Sequence, residues 1–302
     1  MPIAPLRILF IINPFAGKGP KSGLQHTIHE YFHKLPHHIA FYELCGSNDK
    51  QSISHWVHDW KPDRVVAAGG DGTLKLVAEA LAGTPVPIGL LPAGSANGMA
   101  RELGIPEDIP ACLEIISGDH IEAIDIIRIN ERESSLHLSD FGLNAHLVKH
   151  FEQSDSRGMW GYAREVFKVF NRRQQFRVEI KTPVKTIFRY AWMVVIANAT
   201  MYGTGAVINP GGDLKDGRLE VIIMRKISFL ELLKMIFRHR AFNPSKTEIL
   251  QAAEVSITTK RSVHFQVDGE YLGTLRKIRA VVVPGAIRLL LPMPVNNSNA
   301  NT

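Results

Sequence analysis

The run Val65-Val66-Ala67-Ala68-Gly69-Gly70-Asp71-Gly72-Thr73-Leu74 has the residue types of a phosphate site. It reads as a buried strand, a glycine turn and the first turn of a helix. Glycines let the backbone approach phosphate oxygens, and a helix N-terminus attracts negative charge. In open α/β sheets, ligands sit beyond the carboxyl ends of strands, where this turn falls. Thr73 can cap the helix. Asp71 is the informative member, because a carboxylate beside a phosphate is repelled unless a cation lies between them, and Mg2+ is the usual cation. A plain Asp-Gly turn before a capped helix is the competing reading. The coincidence of paired glycines, Asp and Thr favours the phosphate site.

A second turn repeats the design. Leu90-Leu91-Pro92 ends a strand, and Ala93-Gly94-Ser95-Ala96-Asn97-Gly98-Met99-Ala100 follows. Ser95 and Asn97 can donate to phosphate or cap the next helix. Alone this motif is weak, but beside the first turn it makes a nucleotide cleft. A third turn, Asn13-Pro14-Phe15-Ala16-Gly17-Lys18-Gly19, ends another strand. Lys18 can reach a phosphate, although a loop lysine is more often simply solvated. The G-x-x-x-x-G-K-[ST] phosphate loop is missing, which excludes that nucleotide-binding class. Further along, Asn209-Pro210-Gly211-Gly212-Asp213-Leu214-Lys215-Asp216-Gly217-Arg218 and Gln266-Val267-Asp268-Gly269-Glu270 each read, by themselves, as hairpin turns.

These turns need a scaffold, and the first part of the chain supplies strand and helix patterns in alternation. Ile8–Ile12, Ala40–Leu44, Arg64–Ala68 and Pro87–Leu91 are strand-like. Ser22–Leu35, Ser52–Trp60 and Thr73–Leu81 are helix-like. Alternation of this kind implies a largely parallel sheet covered by helices on both faces. After about Ile121 strand patterns dominate: Ala123–Ile129, Phe176–Lys181, Tyr190–Ala197, Leu219–Met224, Val255–Thr259, Val263–Val267 and Ile278–Val283. Helix patterns at about Gly161–Asn171 and Ser228–Arg238 interrupt them. Turns rich in Gly, Asp and Asn point to an antiparallel sandwich. The final strand, Ala286–Leu291, fits either part.

The ordered set Asn13-Pro14, Gly69–Thr73, Pro92–Asn97, Asp213–Gly217 and Asp268-Gly269-Glu270 resembles the diacylglycerol kinase catalytic-domain family, which includes bacterial diacylglycerol kinases, sphingosine kinases and ceramide kinases. The Gly-Gly-Asp-Gly-Thr motif is shared with NAD kinases and phosphofructokinases; the ordered set is far more specific, and it spans nearly the whole chain. The resemblance implies an α/β N-terminal nucleotide domain of NAD kinase and diacylglycerol kinase type, residues 1–126, to which residues 286–295 return. It also implies a β-sandwich lipid-substrate domain over residues 127–285, with the active site between the two. ATP would be held by Asn13, Gly69, Gly70, Asp71, Gly72, Thr73 and Ser95, with Asn97 beside them. Glu270 would be the general base toward a lipid hydroxyl. Asp216 would bind a structural Mg2+ with backbone carbonyls near Asp213 and Arg218, while Asp71 and Asp125 join the Mg2+ and water network. Some positions depart from the family. Asn97-Gly98 stands where bacterial diacylglycerol kinases more often carry Asn-Asp, and the run Asn97-Gly98-Met99-Ala100 resembles the sphingosine-kinase branch more closely. Leu74-Lys75-Leu76 replaces Leu-Asn-Glu, and a threonine by the adenine is replaced near Leu44. ATP binding is expected to survive these changes; the identity of the lipid is left open.

The bulk properties agree with this reading. The 302 residues suit two domains, and 45% hydrophobic residues suit a sizeable core. A net charge of +6 favours anionic partners: nucleotides, nucleic acid or an acidic membrane. Nucleic acid is not expected, because no recognised binding motif accompanies the charge. Cys45 and Cys112 show no metal spacing and fit a reducing cytoplasm. No apolar run is long enough to span a bilayer, so the expectation is a cytoplasmic protein, peripheral at the membrane, with the lipid substrate at the membrane surface. A homodimer is left open. The stretch 228–240, with Lys234, Arg238 and Arg240, could dip into headgroups, although a packed helix with a basic tip is the favoured reading. His26, His29 and His33 share a helical face and lack a fourth metal ligand. Asp140-Phe141-Gly142 matches a protein-kinase triplet by chance, since the other motifs of that class are missing. The polar tail 296–302 is expected to be disordered. An NAD kinase or other soluble-metabolite kinase is the rival function. A non-catalytic sensor is disfavoured by the retention of Asp71 and Glu270.

Overall fold

The computed structural model describes residues 4–17, 22–142, 145, 175–201, 207–226 and 246–294. The helix patterns at 161–171 and 228–238, Lys18, the basic stretch to Arg240 and the tail 296–302 lie outside them. The chain divides into two compact units, one running to Ile124 and resuming at Ala286, the other Asp125–Gly285.

In the first unit, strands and helices alternate as β1 (Arg7–Ile12), α1 (Ser22–Phe32), β2 (His38–Glu43), α2 (Asp49–Trp60), β3 (Arg64–Gly69), α3 (Asp71–Ala80), β4 (Ile88–Pro92), α4 (Gly98–Glu102) and α5 (Ile109–Ser117). The strands pair in parallel in the order β2-β1-β3-β4. Five of the six residues of β1 and all of β3 are buried. Their unbroken apolar runs are what a strand covered on both faces requires. Buried Arg64 at the start of β3 donates to the carbonyls of Ile116 and Gly118 and to Asp119, anchoring the end of α5. Asp108 caps α5 by accepting from the Ala111 amide at 3.0 Å, a contact of a kind that contributes about 1 kcal/mol. The helix expected after the Ala93–Asn97 turn is α4, only five residues long, whereas α5 has no counterpart among the expected elements.

β5 (Ile121–Ile129) leads into the second unit, which contains β6 (Glu133–Ser135), β7 (Leu138–Gly142), β8 (Phe176–Lys181), β9 (Thr186–Ala191), β10 (Met193–Ala197), β11 (Leu219–Met224), β12 (Thr247–Ala252), β13 (Glu254–Val267) and β14 (Glu270–Leu290). Antiparallel pairing runs β12-β11-β10-β7-β13-β14, with β8 and β9 added on the first half of β13. The inward residues of these strands, among them Ile127, Phe141, Val178, Ile196, Val221, Phe265 and Ile278, form one core. This is a β-sandwich. The last residues of β14 belong to the first unit, where Leu289 pairs in parallel with Ile88.

Three expectations change. The run Tyr190–Ala197 is two strands rather than one: β9 pairs only with β8, whereas β10 lies between β7 and β11, so the chain changes layer at Trp192. The stretches Val255–Thr259 and Val263–Val267 form a single strand. Register shifts between Thr258 and Val263 and between His264 and Gln266 let β13 pair with β8 at one end and β7 at the other. Ile278–Val283 and Ala286–Leu291 likewise fuse into β14. A strand over Thr247–Ala252 has no counterpart in the sequence reading.

Candidate active site

Three loops leave the carboxyl ends of neighbouring parallel strands in the first unit: Asn13–Gly17 after β1, Gly70 into α3 after β3, and Ala93–Asn97 after β4. They are stitched together. The Asn13 amide donates to Ala68 O at 3.0 Å, and the Ala93 amide to Gly69 O at 2.8 Å. The Asn13 side chain donates to Thr73 Oγ1 at 3.1 Å and accepts from the Phe15 amide at 2.9 Å. Backbone meets backbone here: a Cβ on Gly94 would lie 2.5 Å from Gly70 Cα, and one on Gly17, at φ +70°, would lie 2.4 Å from Ala93 O. No side chain fits between these strands of loop, which is why glycine stands at these positions.

Thr73 does not cap α3. The helix begins at Asp71 with Gly70 as its N-cap and no side-chain cap bond. Thr73 falls within the first turn, buried, and its hydroxyl serves Asn13 instead. The same holds for the next helix. Asn97 precedes α4 in the left-handed region, at φ 52°, without capping it. Its side-chain oxygen accepts from the Gly94 amide at 2.9 Å and its amide donates to Gly94 O at 3.1 Å, closing the loop on itself. The cap of α4 comes from across the loops. Asp71 accepts from the Gly98 and Met99 amides, each at 2.9 Å, so its negative charge also satisfies the positive end of α4. A small pocket lies between these elements, lined in part by Gly69, Gly70, Asp71, Pro92 and Asn97. Ser95 is exposed on the third loop.

In the second unit, Glu270 is exposed at the start of β14, directly across from Val267. The two-residue turn between them is Asp268-Gly269, both at positive φ, 49° and 88°, the conformation that Asp-Gly hairpins adopt. The Asp268 carboxylate reaches into the chain ahead of β7. It accepts from Ser135 Oγ and from the amides of Leu136, His137 and Leu138, at 2.9–3.1 Å. The Asp268-Gly269-Glu270 motif carries no local sign of this role for Asp268, whose partners lie 130 to 133 residues away.

The segment Asp213–Arg218 forms a second centre in this unit. Asp213 and Asp216 each accept from the amide two residues on, Lys215 at 2.9 Å and Arg218 at 2.8 Å. Buried Asp125 accepts from the Gly217 amide at 2.7 Å and the Gly285 amide at 2.8 Å, while its own amide donates to Leu214 O. Asp125 therefore braces the loop. Nearby Glu220 is buried, held by Asn209 at 2.6 Å and Gln251 at 2.9 Å. Burial pushes its carboxyl above the usual range, the two amides oppose that, and the charge of Asp216 adds to it. Glu220 gave no sequence signal, because its polar partners come from distant positions. Among the described residues no three His, Cys, Asp or Glu side chains come together as a metal cluster. A cation at this loop would be held by carboxylate and carbonyl oxygens together. Such an oxygen-only set, beside the carboxylate of Asp216, suits a hard, hydrated ion such as Mg2+.

A parallel sheet with a glycine-loop cradle, followed by a carboxylate-bearing sandwich, is the two-part architecture expected of a diacylglycerol kinase-type protein. Comparison with known proteins agrees. Residues 7–129 match the diacylglycerol kinase catalytic domain, and residues 141–291 match the YegS C-terminal NAD kinase beta sandwich-like domain. The chain belongs to the diacylglycerol kinase catalytic-domain family of lipid kinases. It is 26% identical over 242 residues to the Klebsiella pneumoniae (strain 342) protein named "Probable lipid kinase YegS-like", covering 76% of this chain and 78% of that one. It is also 26% identical over 240 residues to the Synechocystis protein sll0036, whose name assigns no function; the match covers 76% of this chain but only 55% of that longer protein. A crystal structure of a diacylglycerol kinase from Bacillus anthracis str. Sterne shares the fold, with a TM-score of 0.71 at 18% identity over 95% of this chain and 97% of that one.

Proposed function

We propose that the protein transfers the γ-phosphate of ATP to the hydroxyl of a lipid such as a diacylglycerol or a sphingoid base. The observation that carries this is the backbone-to-backbone cradle at Gly17, Gly70 and Gly94, closed by Asp71. Asn13, the Gly69–Thr73 loop, Ser95 and Asn97 would hold the ATP. Phosphoryl transfer needs in-line positioning and charge neutralisation more than covalent help. Glu270 takes the proton from the lipid hydroxyl as that oxygen bonds to the γ-phosphorus. The bond from that phosphorus to the β–γ bridging oxygen breaks, and ADP leaves. Mg2+ supplies charge neutralisation at the phosphates when bound. Asp216, with carbonyls near Asp213 and Arg218, would hold a structural ion, and Asp71 and Asp125 would join the Mg2+ and water network around the phosphates. The acceptor lies at a membrane surface, where the chain works as a peripheral protein. Among the described residues no helix is long and apolar enough to cross a membrane.

The test is transfer of labelled phosphate from ATP with Mg2+ to diacylglycerol, sphingoid base and ceramide in mixed micelles, and to NAD in solution. A labelled lipid supports the proposal and names the acceptor. Phosphorylated NAD without labelled lipid would contradict it and select the soluble-metabolite reading.

A further inference from the structure

Asp140 and Gln266 stand directly opposite each other on β7 and β13, and both are buried, at 0% and 2% exposure. The Gln266 amide donates to Asp140 Oδ2. Asp140 Oδ1 accepts from the Ala145 amide at 2.8 Å. At its other end, Gln266 Oε1 accepts from the Gly269 amide at 2.7 Å. A carboxylate only accepts hydrogen bonds, so it dictates which end of a neighbouring amide faces it. Asp140 thereby turns the Gln266 oxygen toward the hairpin. Burying a carboxylate is costly unless it is well bonded, and an apolar pair would fill this sheet position without that cost.

We infer that Asp140 and Gln266 form a positioning pair that fixes the Gly269 peptide and, through it, the stance of Glu270. Asp268 clamps the turn from one side and Gln266 from the other. The carboxylate–amide pair adds polarity as well as packing: carboxylate, amide, then turn N–H, each bond setting the direction of the next. This inference rests on the reading of Glu270 as the base. Asp140 and Gln266 do not touch the reacting atoms in this account; they act through Gly269.

The polarity makes a reciprocal test available. Asp140→Asn alone offers Gln266 an amide as well as an acceptor, so the Gln266 side chain is free to flip and turn its NH2 on the Gly269 N–H. Adding Gln266→Glu exchanges carboxylate and amide between the two positions: the 140 side chain donates, the 266 carboxylate accepts from both it and Gly269, and Ala145 keeps its acceptor. Gly269 amide hydrogen exchange is read first, in the wild type, where it is expected to be protected; an unprotected Gly269 amide would overturn the inference without any variant. Asp140→Asn is expected to lower kcat by about 10-fold or more, as misplacement of a catalytic group does, with KM for ATP unchanged and Gly269 exchange accelerated. The double variant is expected to restore both, including where the single variant fails to fold. A single variant with wild-type kcat and exchange, or a folded double variant with neither restored, would sink the inference. Glu270→Gln is run alongside. If it keeps full turnover, the reading of Glu270 fails, and Gly269 exchange still reports whether the pair holds the turn.

Discussion

The loop cluster of the first unit and the Glu270 hairpin of the second position their groups with different materials. In the first, main chain packs on main chain. Gly94 sits against Gly70 and Gly17 against Ala93, with side-chain bonds from Asp71, Asn97, Asn13 and Thr73. In the second, a tight Asp-Gly turn is held by buried polar side chains. Asp268 gathers four donors from Ser135–Leu138, and Gln266 bridges Asp140 to Gly269. A phosphate-binding surface needs close backbone approach over an area, which absent side chains provide. A single proton acceptor needs one side chain held in one place, which directional hydrogen bonds provide. The first region should therefore fail sterically and the second electrostatically.

The largest effect is expected at the chemistry. Glu270→Gln should lower kcat by about 10²–10⁴-fold with the melting temperature unchanged, measured by phosphate transfer and calorimetry. Gly94→Ala comes next. Its new Cβ meets Gly70 Cα at 2.5 Å, and forcing a methyl into packed structure costs about 1–3 kcal/mol. Urea melts should show that loss, and titration calorimetry should show ATP affinity falling with it. Asp268→Asn should cost about 1–3 kcal/mol, because an amide nitrogen now faces backbone donors; ATP affinity should hold while kcat falls.

The smallest effect is expected at an ion pair that neither region uses. Arg189 grips Glu248 through two bonds, at 2.7 and 2.8 Å, and holds its carboxyl below the usual range. Its stabilisation is present above the unfolded carboxylate's pKa and is lost as pH falls through the lower folded value. Both side chains are partly solvated, 34% and 24% exposed, so Glu248→Gln should cost under about 1 kcal/mol near neutral pH. The acid limb of a stability–pH curve should flatten accordingly. Activity should not change.

The same contrast explains what the sequence disclosed. The glycine loops are legible because Gly69, Gly70, Asp71 and Gly72 are consecutive and follow a buried apolar strand, so the local pattern alone marks the turn. The capping roles were misassigned, since Asp71 caps a helix 27 residues on rather than the one it begins. The hairpin was legible as a turn and as a family motif, but its supports were not. Ser135 and Asp268 lie 133 residues apart, and Asp140 and Gln266 lie 126 apart. Asp140-Phe141-Gly142 is a chance match as a kinase signature, yet Asp140 is a buried carboxylate bonded to Gln266 and Ala145. The fused strands β13 and β14 were read as pairs of shorter ones because the polar stretches Lys260–Ser262 and Pro284-Gly285 interrupt the apolar pattern without ending the strand.

The most direct measurement of the central claim takes Glu270→Gln and Gly94→Ala together and reads ATP affinity and lipid phosphorylation on each. The two-part account predicts that Glu270→Gln binds ATP as the wild type does and transfers almost no phosphate, while Gly94→Ala loses ATP binding and, with it, turnover. Full lipid phosphorylation by Glu270→Gln, or unchanged ATP affinity in Gly94→Ala, would contradict it.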